Sequence, residues 1–372
     1  MANSFLSVKD FARAALPRLI EHLVFPTLIH KDYSDDFSGK LGDTIKVRKP
    51  VVLTANDFDP SVGVTQEDIA ESAVDVTLDK IATVDVGIEA LQGATNIDDL
   101  ERVFIEPAAA ALAAKINRDG LDLYRDVPSF VGTAGTTPAT LNVFASARKQ
   151  LNLQNVPVSG RVGLWDPEAD AAFTALDAIV HAEKSGDTLG LREGSIGRVM
   201  GLDNFMSQAV KRHTAGTLSA AGGTLSVKTS ALAADEITIA AATCTGTLKK
   251  GDLLLIGASG SQKQHVVTED ASAAGNEIRA RVYPAVTCQA NTAVQLIASH
   301  TANMAFHPMA FAFVTRPLTT PGGVESYVTN YNGISLRVVK GYDMVHKKEL
   351  LSMDVLYGFK TMYPELATRV LG

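Results

Sequence analysis

Residues 96–127 read NIDDLERVFIEPAAAALAAKINRDGLDLYRDV, and the rest of the chain is organised around them. Leu100, Phe104, Ala108, Leu112, Ile116, Gly120 and Leu123 recur at helical spacing and draw one apolar stripe. Asp98, Asp99, Glu101 and Glu106 crowd the front, and Lys115, Arg118 and Arg125 the back, as a helix dipole prefers. Pro107 should break or kink a helix and suits the first turn of a second one, predicted from Pro107 to about Asp126. At the helical rise its length is roughly 30 Å. The alanine run 108–111 lets another backbone lie close along it. Nothing on this rod is arranged for catalysis, and it reads as a beam.

Outward from the beam, the 372 residues exceed one ordinary core, so two or three packed units are expected. With 46% hydrophobic and 20% charged residues the chain is globular. Aromatics are only 6%, which leaves Ala, Val, Leu and Thr to fill the cores. A net charge of −7 argues against a surface that grips nucleic-acid phosphates throughout, though not against packed DNA meeting one local patch. Cys244 and Cys288 form no C-x-x-C pair and fit small apolar thiols in a reducing compartment. The first 19 residues form an amphipathic helix with Lys9, Arg13 and Arg18, unlike a signal peptide. No window approaches the roughly 18 apolar residues of a membrane span, and a cytosolic product is expected.

Residues 6–30 read as one or two helices broken at Pro17 and Pro26, an apolar arm that packs on something. Gly42-Asp43 turns the chain into a strand in which Ile45 and Val47 alternate with Lys46 and Arg48. The return strand carries Val74, Val76 and Leu78 and continues through Val84, Val86 and Ile88. Between them, residues 54–72 hold Asp57, Asp59, Glu67, Asp68 and Glu71 with no lysine or arginine, an acidic hairpin tip. A long hairpin alone is marginal, so it should rest on a neighbour.

After a Gly/Thr/Pro linker, residues 141–153 read as a helix with Arg148 and Lys149 near its end. Residues 160–165 (GRVGLW) read as a buried strand, and Asp166-Pro167-Glu168 as the start of a helix through Phe173, Leu176 and Ile179 to His181. Residues 191–202 read as turn, strand, turn. At about Thr214 the composition shifts. From there to His300 short apolar alternations recur around Ile237, Leu253, Val266, Ile278 and Val294, separated by turns at Lys250-Gly251-Asp252 and Gly275-Asn276. That pattern predicts a small β-sandwich or barrel spliced into a host, charge-neutral and with Tyr283 as its aromatic. Residues 303–317 resume a buried sheet, and 333–339 and 355–359 supply closing strands.

Chemistry-bearing motifs are weak. Residues 246–251 imitate a P-loop but continue Asp252-Leu253 in place of Lys and Ser or Thr. Asp32, Ser34, Asp36 and Asp43 imitate a calcium loop, with Phe37 where glycine is required. Residues 257–260 lack the spacing of a nucleophile elbow. The eight histidines are scattered in sequence; His307 reads as a satisfied core residue and His346 as part of a solvated turn. Trp165 reads as core or interface. No acid, base, nucleophile or metal cluster can be assembled, so neither an enzyme nor a cofactor is expected.

The pieces in order do carry a resemblance. The helical arm, G-D-T-I-K-V, the acidic loop, D-L-x-x-x-x-I-x-P-A-A-x-x-L, G-S-I-G-R-V-M-G-L, N-M-A-F-H-P-M-A-F and D-V-L-Y-G-F together resemble the major capsid proteins of tailed bacteriophages, over residues 1–213 and 301–372. The likeness is greatest to short-tailed-phage coat proteins with an inserted β-barrel. The resemblance implies an α+β chain of the Hong Kong ninety-seven fold: an arm at 1–42, an extended hairpin loop at 43–90, a peripheral domain with a spine helix at 91–159, an axial domain from 160–213, the insert at 214–300, and closing axial and peripheral strands at 301–372. It implies pentamers and hexamers of an icosahedral shell, a separate scaffolding protein, a portal protein, packaged double-stranded DNA bound without sequence specificity, no membrane, and a virion assembled in host cytoplasm. No motif assigns a cross-linking Lys–Asn pair. The other reading is an encapsulin-like bacterial compartment shell with protein cargo. In either shell the arm and hairpin reach adjacent subunits, their apolar surface having no partner in their own chain. The acidic residues Asp57, Asp59, Glu67 and Asp68 would then either meet Arg102, Arg118 and Arg125 on the beam, or Arg148 and Lys149 after it, or else serve only to keep the loop soluble.

Overall fold

The computed structural model describes residues 8–31, 41–49, 73–87, 105–181, 183, 186, 189–220, 224–258, 260–331, 333–343 and 348–372. The beam is the α-helix Glu106–Leu121, with Pro107 in its first turn as expected. Its last predicted turn tightens into the 3-10 helix Asp122–Asp126. Ala108, Ala109, Leu112, Ala113, Ile116 and Leu121 are buried, while Lys115 and Arg118 face solvent. Residues 96–104, including Arg102, lie outside the described residues.

Two expectations about the arm are corrected. The helix Val8–His22 runs unbroken through Pro17. Pro17 is on the exposed side, where water can hydrate the carbonyl that loses its N–H partner. The helix stops instead because buried Asn117 caps it: its Oδ1 accepts the Val24 and Phe25 N–H groups at 3.2 and 3.3 Å and its Nδ2 donates to the His22 carbonyl at 3.0 Å. Residues 8–31 also do not lack an intrachain partner. Ala12, Leu19 and Phe25 are fully buried, and Phe25 packs edge-on against Phe306 at 5.8 Å and beside Phe311 at 5.7 Å.

The chain divides into two compact units. In the first, Thr44–Arg48 pairs antiparallel with Ala73–Thr77, the base of the predicted hairpin. Ile45 and Val47 are half-buried, and Lys46 and Arg48 are exposed. The acidic tip with Asp57, Asp59, Glu67 and Asp68 is outside the described residues. The return strand does not continue as one piece. It breaks at Leu78-Asp79, and Lys80–Gly87 joins a five-stranded sheet by pairing with Lys348–Thr361. Leu78 is fully buried and exchanges backbone hydrogen bonds with Gly42 and Asp43, which holds the chain at the break. The other strands of this sheet are Phe311–Thr315, Glu325–Tyr331 and Ile334–Asp343.

The second unit holds a seven-stranded mixed sheet, in the order Phe130–Gly132, Ala367–Leu371, His300–Phe306, Arg161–Trp165, Leu202–Met206, Arg198–Val199, with Arg212–His213 paired to His300–Thr301. The helix Leu141–Leu153 forms over its predicted span. Phe144 meets Trp165 and Phe173 at 5.2 and 4.5 Å, and those two meet at 4.9 Å, an aromatic nucleus under the sheet. The helix predicted from Asp166 to His181 is instead two short ones, Pro167–Thr174 and Asp177–Val180. Residues 189–193 form a helical turn in place of the first turn expected from 191, and the strand Arg198–Val199 and the turn at Met200-Gly201 follow as expected. The run 303–317 is two strands in different sheets, separated by the 3-10 turn Pro308–Ala310; His307 Nδ1 accepts the Met309 N–H there at 3.3 Å.

Residues 214–300 contain strands and no helix among those described. Six strands follow in the order Ser226–Val227, Ala231–Ala240, Glu277–Cys288, Lys263–Val267, Leu253–Ile256, Val294–Leu296. The sheet closes on itself: Val227 N–H donates to Thr292, Asn291 to Val227 and Val294 to Leu225, at 2.8–2.9 Å. The sandwich-or-barrel alternative is thus resolved as a barrel. Ile237, Ile239, Leu254, Ile256, Val267, Ile278, Ala280 and Val282 fill it.

Candidate functional site

Two places in the second unit gather groups able to act. The first is an open cleft of about 380 Å³ lined by Ala145, Arg148, Lys149, Asn152, Leu153 and Met200. Arg148 and Lys149 sit on the outer face of the helix Leu141–Leu153, whose inner face is held by Phe144, Ala147 and Leu151. Leu153 is 67% exposed, so the cleft offers cations beside apolar surface. Of the other sequence candidates, Arg118 is exposed on the beam. Arg125 is engaged in its own chain: it lies 3.6 Å from Asp122 and packs on the turn at Gly251. Its contact with Tyr124 raises its pKa further, against partial burial. The structure brings Arg148 and Lys149 together and leaves Arg118 and Arg125 apart from them, on the beam and in the turn after it.

The second place is the neck through which the barrel leaves the host sheet. The two connecting strands pair there, His213 opposite His300, with ring centroids 5.3 Å apart. Tyr124, from the 3-10 turn after the beam, places its hydroxyl 3.0 Å from His213 Nδ1. His213 Nε2 lies 2.8 Å from Asp252 of the barrel, and both residues are buried. The Asp252 carboxylate also accepts the Lys249 N–H at 2.8 Å and the Gly216 N–H at 3.1 Å. From the C-terminal strand, fully buried Arg369 donates through Nη1 to the Gly251 carbonyl at 2.8 Å, its guanidinium 5.2 Å over the Tyr124 ring. Gly251 has φ +96, and a Cβ there would stand 2.8 Å from Arg125 Cγ, so only glycine serves.

Proton positions follow from the partners. A carboxylate only accepts, so neutral His213 carries its proton on Nε2 and takes the Tyr124 hydroxyl at Nδ1. A carbonyl also only accepts: His300 Nδ1, 2.9 Å from the Ala298 oxygen, bears the proton and leaves Nε2 bare. His300 Nε2, Arg369 Nε and Arg369 Nη2 have no hydrogen-bond partner among the described residues. Burial lowers the Arg369 pKa to about 9, so it is charged at neutral pH. Burial lowers His300 to about 4, with Arg369 and His213 adding to the effect, so it is neutral there. The neck thus sets charged Arg369 beside the buried pair of His213 and Asp252.

Sequence reading missed this cluster. Its members lie at positions 124, 213, 252, 300 and 369, and pattern analysis sees only neighbours. The available signals were two histidines at the two ends of the composition shift and an arginine inside the apolar run Ala367–Leu371. Among the described residues no group of three or more His, Cys, Asp or Glu side chains could hold a metal ion.

No family model and no curated protein matches the sequence. Solved structures do match it. A chain from Mycobacterium phage Che8 aligns with a TM-score of 0.53 at 17% identity, covering 94% of this chain and 90% of that one. A chain from the capsid structure of the cyanophage P-SCSP1u aligns with a TM-score of 0.51 at 13% identity, covering 94% and 88%. The chain therefore has the α+β fold of these phage chains over nearly its whole length.

Proposed function

We propose that this chain is a major capsid subunit that self-assembles into pentamers and hexamers of an icosahedral shell around double-stranded DNA. The observation that carries the reading is the fold likeness, spanning 94% of the chain, to the chain from the cyanophage capsid structure. The work of such a protein is geometric: many weak contacts repeated at every boundary. The two-stranded base Thr44–Arg48 and Ala73–Thr77 suits a hairpin that reaches outward, since such a ribbon is marginal alone. On this reading the chain divides into arm, hairpin loop, peripheral and axial domains and inserted barrel, as the resemblance implies. A scaffolding protein, a portal protein and packaged DNA are its partners, and the virion, assembled in the host cytoplasm, is its location. No described helix is long and apolar enough to cross a membrane.

The cleft at Arg148 and Lys149 is the preferred seat for the acidic residues Asp57, Asp59, Glu67 and Asp68 of an adjacent copy, because it alone pairs two adjacent cations with exposed apolar side chains among the candidates described. Arg118 lies apart from this cleft on the beam, and Arg125 is already turned to Asp122. Electron microscopy of the purified chain, with and without its scaffolding partner, tests the shell. Closed particles or capsomers are expected, and a monodisperse monomer at high concentration under all conditions would overturn the reading. Nuclease-protected DNA inside the particles fits the capsid; protein cargo without DNA would replace it with a compartment shell.

A further inference from the structure

We propose that the neck of the inserted barrel is a proton-operated latch: neutral His300 keeps the barrel fastened to the host sheet, and protonated His300 releases it. The observation is the buried chain Tyr124–His213–Asp252, with Arg369 anchored on Gly251 beside it and His300 against His213. Every segment that meets the barrel at this point contributes one member. The 3-10 turn Asp122–Asp126 gives Tyr124, the strand Arg212–His213 gives His213, the strand His300–Phe306 gives His300, and Ala367–Leu371 gives Arg369. The barrel itself gives Asp252 and the Gly251 carbonyl.

The two histidines answer a proton differently. On His213 a second proton would sit at Nδ1, where the Tyr124 hydroxyl can rotate from donor to acceptor, while Nε2 still faces the Asp252 carboxylate. Both His213 ring nitrogens therefore have partners. On His300 the new N–H would appear at Nε2, which has no partner among the described residues. It would add a cation to a buried space that already holds Arg369, and the single carboxylate there is saturated by His213, Gly216 and Lys249. The outlying charges do not relieve this. Asp122 is bound to Lys211, and Asp126 lies near Lys250 on the barrel's turn. Arg125 is a further cation at the surface beside the neck, and its charge opposes that of Arg369. The least costly response is separation of the barrel's turn at residues 249–252 from the host, which admits water to Nε2.

Burial of the neutral His300 ring agrees in direction with this geometry. The latch is a property of the subunit and does not depend on the proposed shell.

Hydrogen–deuterium exchange of the full chain, with labelling times scaled for intrinsic rates, tests the proposal. Between about pH 7 and about pH 4, peptides covering residues 212–218 and 247–252 should exchange at least about tenfold faster, while Glu277–Cys288 inside the barrel keeps its protection. His300→Asn, which keeps a donor toward the Ala298 carbonyl but takes no proton, should abolish the acid opening. Asp252→Asn should open the same peptides at neutral pH. Exchange that rises equally in barrel and neck would overturn the latch, as would acid opening unchanged in His300→Asn. If that variant fails to fold, the wild-type contrast between neck and barrel interior still decides.

Discussion

The inserted barrel and the host sheet solve the same problem with opposite means. The barrel is closed by its own backbone hydrogen bonds and filled with aliphatic side chains. The host sheet is open and centres on Phe144, Trp165 and Phe173. Its edge strand Phe130–Gly132 is finished by the barrel: Gln264 accepts the Phe130 N–H at 2.9 Å and donates to its carbonyl at 2.8 Å. Leu253 and Val266, on the barrel's outer side, cover Phe130 and Leu371. The dependence is therefore unequal. Among the described residues the barrel sheet closes on itself and takes from the host a partner for Asp252 and cover for Leu253 and Val266, whereas the host leaves an edge strand and a buried arginine for the barrel to satisfy.

Separating the two should have the largest effect. Residues 214–300 expressed alone should give dispersed amide NMR signals, since they carry a closed sheet and their own core. The host joined across the gap by a short linker should aggregate or unfold, because Arg369, Phe130 and Leu371 lose their cover. A stable host and a random-coil barrel would reverse the comparison. Next in size is Asp252→Ala, which strands the His213 Nε2–H, two backbone N–H groups and Arg369 without their counter-charge. It should cost about 3–5 kcal/mol in chemical denaturation of the full chain.

Acid should show the asymmetry again. The folded His300 pKa of about 4 lies below the ordinary 6.5, so the unfolded chain takes up the proton first and stability falls as pH drops between those values. The loss should total about 3 kcal/mol and then level off below pH 4 for this group. In the isolated barrel His300 lacks the host around it, and this part of the slope should vanish; calorimetry across the range compares the two. The smallest effect expected is at the hairpin. Changing Asp57, Asp59, Glu67 and Asp68 to Asn or Gln should slow assembly most at low salt, each exposed pair contributing about 0.2–1 kcal/mol. Light scattering would show it, and wild-type kinetics at every ionic strength would remove the electrostatic role.

What was legible beforehand was local. Helix Leu141–Leu153, the buried strand Arg161–Trp165, the first turn at Pro107 and the all-β insert were read from periodicity and turn residues, because those features depend on neighbours a few residues away. The misreadings fell where a distant contact decided. Pro17 did not break its helix because its side faces solvent, and Asn117, far along the chain, set the helix end instead. The strand after Thr77 changed sheets because Lys348–Thr361 offered an edge that no local pattern announces. The barrel was foreseeable as strands, but its closure rests on backbone bonds between residues 225–227 and 291–294.

The sequence by itself determined the helix Glu106–Leu121 and the all-β character of residues 214–300. The order of its motifs supplied the resemblance to tailed-phage capsid chains. Only the tertiary structure decided that His213, His300, Asp252, Tyr124 and Arg369 share one buried space, and that Arg125 lies along the turn at Gly251 while Arg148 and Lys149 line an open cleft. The reason is physical. Helical and strand periodicities are written in adjacent residues, but the state of a titratable side chain depends on which groups surround it and how much water is left. That is fixed only when segments hundreds of residues apart come together.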